Sequence, residues 1–222
     1  LEENPEDDHE GHREEIADQL KQQLRPALSS HDYVSYFIGV KDKIIASDRS
    51  DAVGLKIPFE FRDLSAKVFD GHTMVTPPFP GILPYTDVDG VRRTGVPMMF
   101  VVTPLLDRHL QVVASLGMQI RPEKEFTRIL QLGQIGDSGE TYAFNREGLM
   151  LSNSRFTDDL ILLGILPDEE NTRSILKLQI RDPGGDMTEG FRPQVRRSEL
   201  PLTRMAESAI AGQNGTDVDG YR

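Results

Sequence analysis

The feature that most constrains this chain is an internal repeat. Thr86-Asp87-Val88-Asp89-Gly90 reappears as Thr216-Asp217-Val218-Asp219-Gly220, followed by Val91-Arg92 in the first copy and Tyr221-Arg222 in the second. A second echo precedes each copy in the same order. Tyr36-Phe37-Ile38-Gly39-Val40-Lys41-Asp42-Lys43-Ile44-Ile45-Ala46-Ser47 parallels Tyr142-Ala143-Phe144-Asn145-Arg146-Glu147-Gly148-Leu149-Met150-Leu151-Ser152. Both read as strand, polar turn and strand ending in a serine, with an arginine beyond (Arg49, Arg155). Asp-Gly turns are common, so the five-residue match alone is weak; two matches in the same order point to two related modules in tandem. In the first copy the Asp-Gly turn introduces two strands that complete a sheet. The second copy has no residues for them, so the second module is expected to be truncated, with the mature protein continuing past Arg222.

Local patterns fill in the modules. Ile16, Leu20 and Leu24 fall at i, i+4 and i+8, a narrow helical stripe that Pro26 is expected to end or kink. Tyr33–Val40 is rich in aromatic and β-branched residues, hence a strand, returning through Lys41–Lys43 as Ile44–Ser47. Pro58–Phe69 reads as a helix with Phe61, Leu64, Ala66 and Val68 available for burial and Gly71 closing it. Residues 72–84 carry four prolines and must be irregular around a short strand. Met98–Thr103 and Leu110–Met118 are strands turning at Asp107-Arg108. Glu123–Leu132 is expected to be helical, with Phe126, Ile129, Leu130 and Leu132 on one side, stopped by Gly133. A hairpin, Glu140–Phe144 and Leu149–Ser154, a strand at Ile175–Ile180, a glycine-rich loop at Asp182–Gly190 and a helix at Leu202–Ile210 follow. Strands and helices without regular βαβ spacing give an α+β class.

Composition removes several functions. Among 222 residues, 25 Lys+Arg face 36 Asp+Glu, a net charge of −11. That balance is unsuited to the basic face a nucleic-acid binder needs and to docking on anionic lipid. The absence of cysteine excludes disulfides, thiol catalysis and thiolate metal sites. No stretch approaches the roughly 20 apolar residues of a membrane span, so the chain is soluble or a soluble piece of a longer protein.

The second module, from Gly136-Asp-Ser-Gly-Glu-Thr-Tyr-Ala-Phe to Leu-Met-Leu-Ser-Asn-Ser-Arg-Phe156, resembles the membrane-proximal half of a double Cache domain, and Asp217-Val-Asp-Gly-Tyr-Arg222 resembles the lead into that family's late Gly-Val-Pro strand. The first module holds that element whole, as Gly90-Val-Arg-Arg-Thr-Gly-Val-Pro97. The resemblance implies an entry helix (1–30), a membrane-distal PAS-like module with an antiparallel sheet (31–120) and an incomplete proximal one (121–222). It further implies the periplasmic, extracytoplasmic part of a bacterial receptor tethered to the membrane. The output in the cytoplasm would be a kinase, cyclase or chemotaxis signalling domain, and the entry helix would pair in a homodimer.

Catalysis finds little support. The histidines are scattered, His9 and His12 lie in a polar end, and no nucleophile elbow or phosphate loop is present. No cofactor or metal is expected, and Asp87/Asp89 and Asp217/Asp219 lack the further ligands of a calcium loop. Binding is the better expectation, with the resemblance placing a small-molecule ligand in the first module. The candidate contacts are His72 and Tyr85 at the ends of the proline-rich stretch, Met98 and Phe100 on one face of a strand, Arg92 and Arg93 as a carboxylate clamp, and Asp107 for an amine. The tryptophan of the family's amino-acid-binding signature is missing. Two rivals remain: an intracellular PAS-type interaction module without a ligand, and a soluble enzyme built on Asp87 and Asp89.

Overall fold

The structure is a computed structural model and describes residues 5–31, 33–86, 90–133, 136 and 139–216, with side chains unassigned for residues 5–14, 17 and 86. The aspartates at 87, 89, 217 and 219, and with them most of both repeat copies, lie outside the described residues. The chain divides into two compact units, Leu1–Arg121 and Pro122–Arg222.

The first unit opens with α1 (Pro5–Ser30), which continues past Pro26 instead of ending there. Proline forfeits one bond to the carbonyl four residues back, and one lost bond does not stop a helix of 26 residues. Ile16 remains exposed, Leu20 and Leu24 are half-buried, and α1 lies against the second strand of the sheet. That strand, β2 (Lys43–Ser47), folds back on β1 (Ser35–Val40) through a two-residue turn with Lys41 at φ 56°. A 3-10 turn at Ser50–Ala52 and another at Phe59–Phe61 lead into α2 (Arg62–Phe69). Gly71, at φ 96°, closes the helix as its sequence signalled. Along α2, Phe61 and Val68 are buried and Leu64 half-buried, but Ala66 faces solvent; Ser65 takes an inward position instead.

The proline-rich stretch holds two short strands, β3 (Met74–Val75) and β4 (Phe79–Pro80), both paired to the later long strand. A separate two-stranded ribbon pairs β5 (Tyr85–Thr86) with β6 (Arg92–Arg93). The long hairpin β7 (Pro97–Leu106) and β8 (Val112–Ile120) then supplies the centre of the sheet. Strand order is β2-β1-β8-β7-β3, with β4 also on β7, and every pair is antiparallel.

The second unit contains α3 (Phe126–Gln131), α4 (Thr157–Leu162) and α5 (Arg204–Ile210). Among its described residues no strand is longer than an isolated bridge: Phe144 with Met150, Leu149 with Gln179, and Arg181 with Leu202. Three expectations therefore change. The hairpin at 140–154 keeps its turn but not its ladder. Residues 175–180 begin as a turn, with Leu176 at φ 58° and Lys177 and Leu178 donating to the Ser174 carbonyl. α3 starts three residues late, and Ile129 and Leu132 are exposed, not packed on a common face. Side chains satisfy backbone donors that a ladder would otherwise satisfy. The Ala143 N–H donates to Ser152 Oγ, Asn153 N–H to Thr127 Oγ1, Ser154 N–H to Ser174 Oγ, and Ile175 N–H to Asn153 Oδ1. A small core of Met150, Ile180 and Ala206, with Tyr142, Phe144, Leu178 and Leu202 around it, holds the unit together.

Candidate functional site

One face of the sheet in the first unit is not filled by side chains. Period-2 alternation sends Ser35 and Phe37 from β1, Met98, Phe100 and Val102 from β7, and Ser115 and Gln119 from β8 to the same side. All seven line a cavity of about 130 Å3 roofed by Phe61, Leu64, Ser65 and Val68 of α2 and its preceding turn, and by Leu55–Pro58 and Ile82–Leu83. Gly117 sits on β8 between Ser115 and Gln119, and the Phe37 ring lies directly over it. A methyl group built there would stand 2.1 Å from Phe37 Cε1, so glycine is what lets the ring lie flat on the sheet.

The apolar wall is a chain of rings. Phe37 meets Phe100 edge-on at 5.3 Å between centroids, Phe100 meets Phe79 at 6.1 Å, and Phe79 meets Phe61 at 4.7 Å. Such contacts are favourable beyond area burial and fix ring orientation.

The polar groups in the lining are few and mostly committed. Ser35 Oγ donates to Gln119 Oε1 at 2.7 Å, both residues being buried. Thr76 stands between β3 and β4, its N–H donating to the Phe100 carbonyl while its Oγ1 accepts from the Phe100 N–H. Ser115 Oγ donates to the Gly39 carbonyl and Ser47 Oγ to the Tyr36 carbonyl. Arg49 reaches the lining from the first echo motif, but its guanidinium is forked onto Asp51 and also donates to the Pro84 carbonyl. The hydrogen bond and charge of Arg49 hold the Asp51 carboxyl below its ordinary pKa. Behind the cavity Tyr36 is buried; that burial first, and then the negative charges of Asp48 and Asp18, push its phenol up from 10.0.

Of the residues singled out in the sequence, Met98 and Phe100 line this cavity. The others have separate places. Asp107 Oδ1 caps the β7–β8 turn, accepting from the His109 and Gln111 N–H groups. His72 is exposed just beyond α2, and Tyr85, Arg92 and Arg93 belong to the β5–β6 ribbon, where Tyr85 pairs with Arg93. The structure does not bring these five to the cavity wall. The residues the sequence did not flag are Phe37, Phe79, Ser35, Thr76, Ser115 and Gln119. The available signal was the alternation of Ser35 with Phe37 and of Ser115 with Gln119 around Gly117, which put small and polar groups where a core strand carries bulk.

Among the described residues no group of His, Asp and Glu is arranged to hold a metal ion, and no helix is long and apolar enough to cross a membrane. No family profile and no curated protein matches the chain. Two solved structures are similar at low identity. One is an extracellular domain described as that of a histidine kinase, 15% identical, covering 91% of this chain and 67% of its own, with a TM-score of 0.39. The other is a light-oxygen-voltage domain studied with a flavin analogue, 16% identical, covering 50% of this chain and 92% of its own, with a TM-score of 0.29.

Proposed function

We propose that this chain is the extracytoplasmic, non-catalytic sensing portion of a membrane-bound signalling receptor, and that it binds a small molecule in the cavity of its first unit. The observation that carries the reading is the cavity itself: a sheet face with an aromatic wall and a buried Ser35–Gln119 pair, left open under α2. An apolar hollow with a few convergent polar groups is the usual form of a small-molecule site. The order of the two echo motifs and the double Cache resemblance support the wider setting: two related modules, an entry helix able to pair with a second copy, and an output beyond the membrane. In mechanism, a ligand that binds one closure of α2 over the sheet better than the other shifts that equilibrium by its differential affinity.

The test is thermal unfolding of the chain against a panel of carboxylates, amines, amino acids, nucleobases, neutral aromatics and divalent cations. A true ligand at about 100 times its dissociation constant adds about 2.7 kcal/mol of stability, an evident rise in Tm. A panel without a single stabilising member counts against the sensing role and leaves the module a scaffold.

A further inference from the structure

The cavity has a charge character of its own, and it narrows the ligand. Among the described residues no aspartate or glutamate lines it. Arg49, half-buried, is already neutralised by Asp51 at 2.8 Å, and Lys56 stands exposed at the margin. The groups that face the interior are neutral: Ser35, Thr76, Ser115 and Gln119, each at most 6% exposed. A ligand charge placed among them would lose its hydration against neutral groups, a strongly unfavourable exchange.

Gln119 supplies the orienting contact. One end of its carboxamide accepts from Ser35 Oγ at 2.7 Å, and the amide nitrogen has no hydrogen-bond partner among the described residues. Gln119 as a residue is 94% buried, yet its amide nitrogen is not one of the described side-chain atoms sealed away without a partner, so it keeps some open space in front of it. Here it lies in the wall of a hollow, where an acceptor on a bound molecule would satisfy it. The volume sets the scale, since an apolar cavity of about 150 Å3 admits a benzene-sized guest.

Resting on the reading of this cavity as a ligand site, we propose that it takes a small uncharged molecule, a single ring or branched apolar body bearing one carbonyl-type acceptor. The body packs on Phe37, Phe79 and Phe100, and the acceptor meets the Gln119 amide. Carboxylates and amines of the same size are excluded by their charge.

The test is calorimetric titration of the whole chain with acetophenone, benzoate and benzylamine, which share a ring and differ in charge. Acetophenone is expected to bind at least roughly tenfold tighter than either ion, and to shift the methyl resonance of Met98 more than that of Met99 on the opposite face. Gln119→Met keeps the bulk and removes the amide. It should weaken acetophenone about tenfold while leaving toluene, which has no acceptor, unchanged. Benzoate or benzylamine binding as tightly as acetophenone, with the Met98 shift, overturns the uncharged class but leaves the sensor reading standing. Equal losses of acetophenone and toluene in Gln119→Met overturn the role of the amide. No binding by any of the three overturns this inference and the ligand-site reading together.

Discussion

The two echo motifs tie the same peptide unit in opposite senses. In the first unit Ser47 Oγ donates to the carbonyl of Tyr36; in the second, Ser152 Oγ accepts from the N–H of Ala143, the other end of the Tyr142–Ala143 peptide. The arginine that follows behaves alike in both. Arg49 donates to the Pro84 carbonyl, and Arg155 to the carbonyls of Gly136 and Gly139. Around these shared contacts the units diverge. The first builds a six-stranded antiparallel sheet, and one face of it remains partly hollow. The second satisfies its backbone through buried serines, a threonine and an asparagine, and its core is correspondingly small. A ladder distributes its bonds along the backbone, whereas a side-chain scaffold depends on individual residues.

Four tests sharpen this contrast. The largest effect is expected from Met150→Ala. Met150 is 2% exposed at the centre of the second unit, and its truncation should cost about 2–5 kcal/mol, read as a lower denaturant midpoint. Gly117→Ala comes next, at about 1–3 kcal/mol of overpacking. Because the added methyl displaces the Phe37 ring, the same variant should also lose acetophenone binding; unchanged binding would show that Phe37 is not part of the wall. Third come the paired serines. Ser152→Ala strands a half-buried Ala143 N–H and Ser47→Ala the Arg49 N–H, so each should cost about 1–3 kcal/mol. A cost under about 0.5 kcal/mol for either variant would show that its serine does not satisfy the backbone.

The smallest effect is one of pH. Burial raises the phenols of Tyr36 and Tyr142, with help from the charges of Asp48 and Asp18 at the first and of Glu140 at the second. A raised folded-state pKa means that the native state holds its proton more tightly than the unfolded chain. Both contributions are therefore fully present below the ordinary tyrosine value of 10.0 and are lost as pH rises through the folded values. Tyr142→Phe should flatten the alkaline fall of the second unit and Tyr36→Phe that of the first, followed by urea unfolding across the alkaline range. An alkaline limb unchanged in both variants would contradict the assignment.

Much of the first unit was legible because its elements obey local rules. The β1–β2 turn at Lys41-Asp42, the β7–β8 hairpin and the Gly71 stop on α2 all carry signals within a few residues. The second unit hid its structure for the converse reason. Ile175-Leu176-Lys177-Leu178-Gln179-Ile180 has the composition of a strand, but Ser174 and Asn153 take the backbone bonds that would extend it, and Asn153 lies 22 residues away, outside any local window. The site was half legible. Met98 and Phe100 follow from alternation on one strand, but the wall they join needs Phe37, Phe61 and Phe79, each indistinguishable in sequence from ordinary core. Asp107 was misleading because a turn cap and a ligand contact have the same local signature.

Hydrogen exchange with and without acetophenone tests the central claim most directly, because it reports on both units at once. Slower exchange is expected in peptides covering 35–47, 59–69 and 97–120, with those covering 140–181 unchanged. Protection confined to the second unit, or none anywhere, would contradict a ligand site beneath α2.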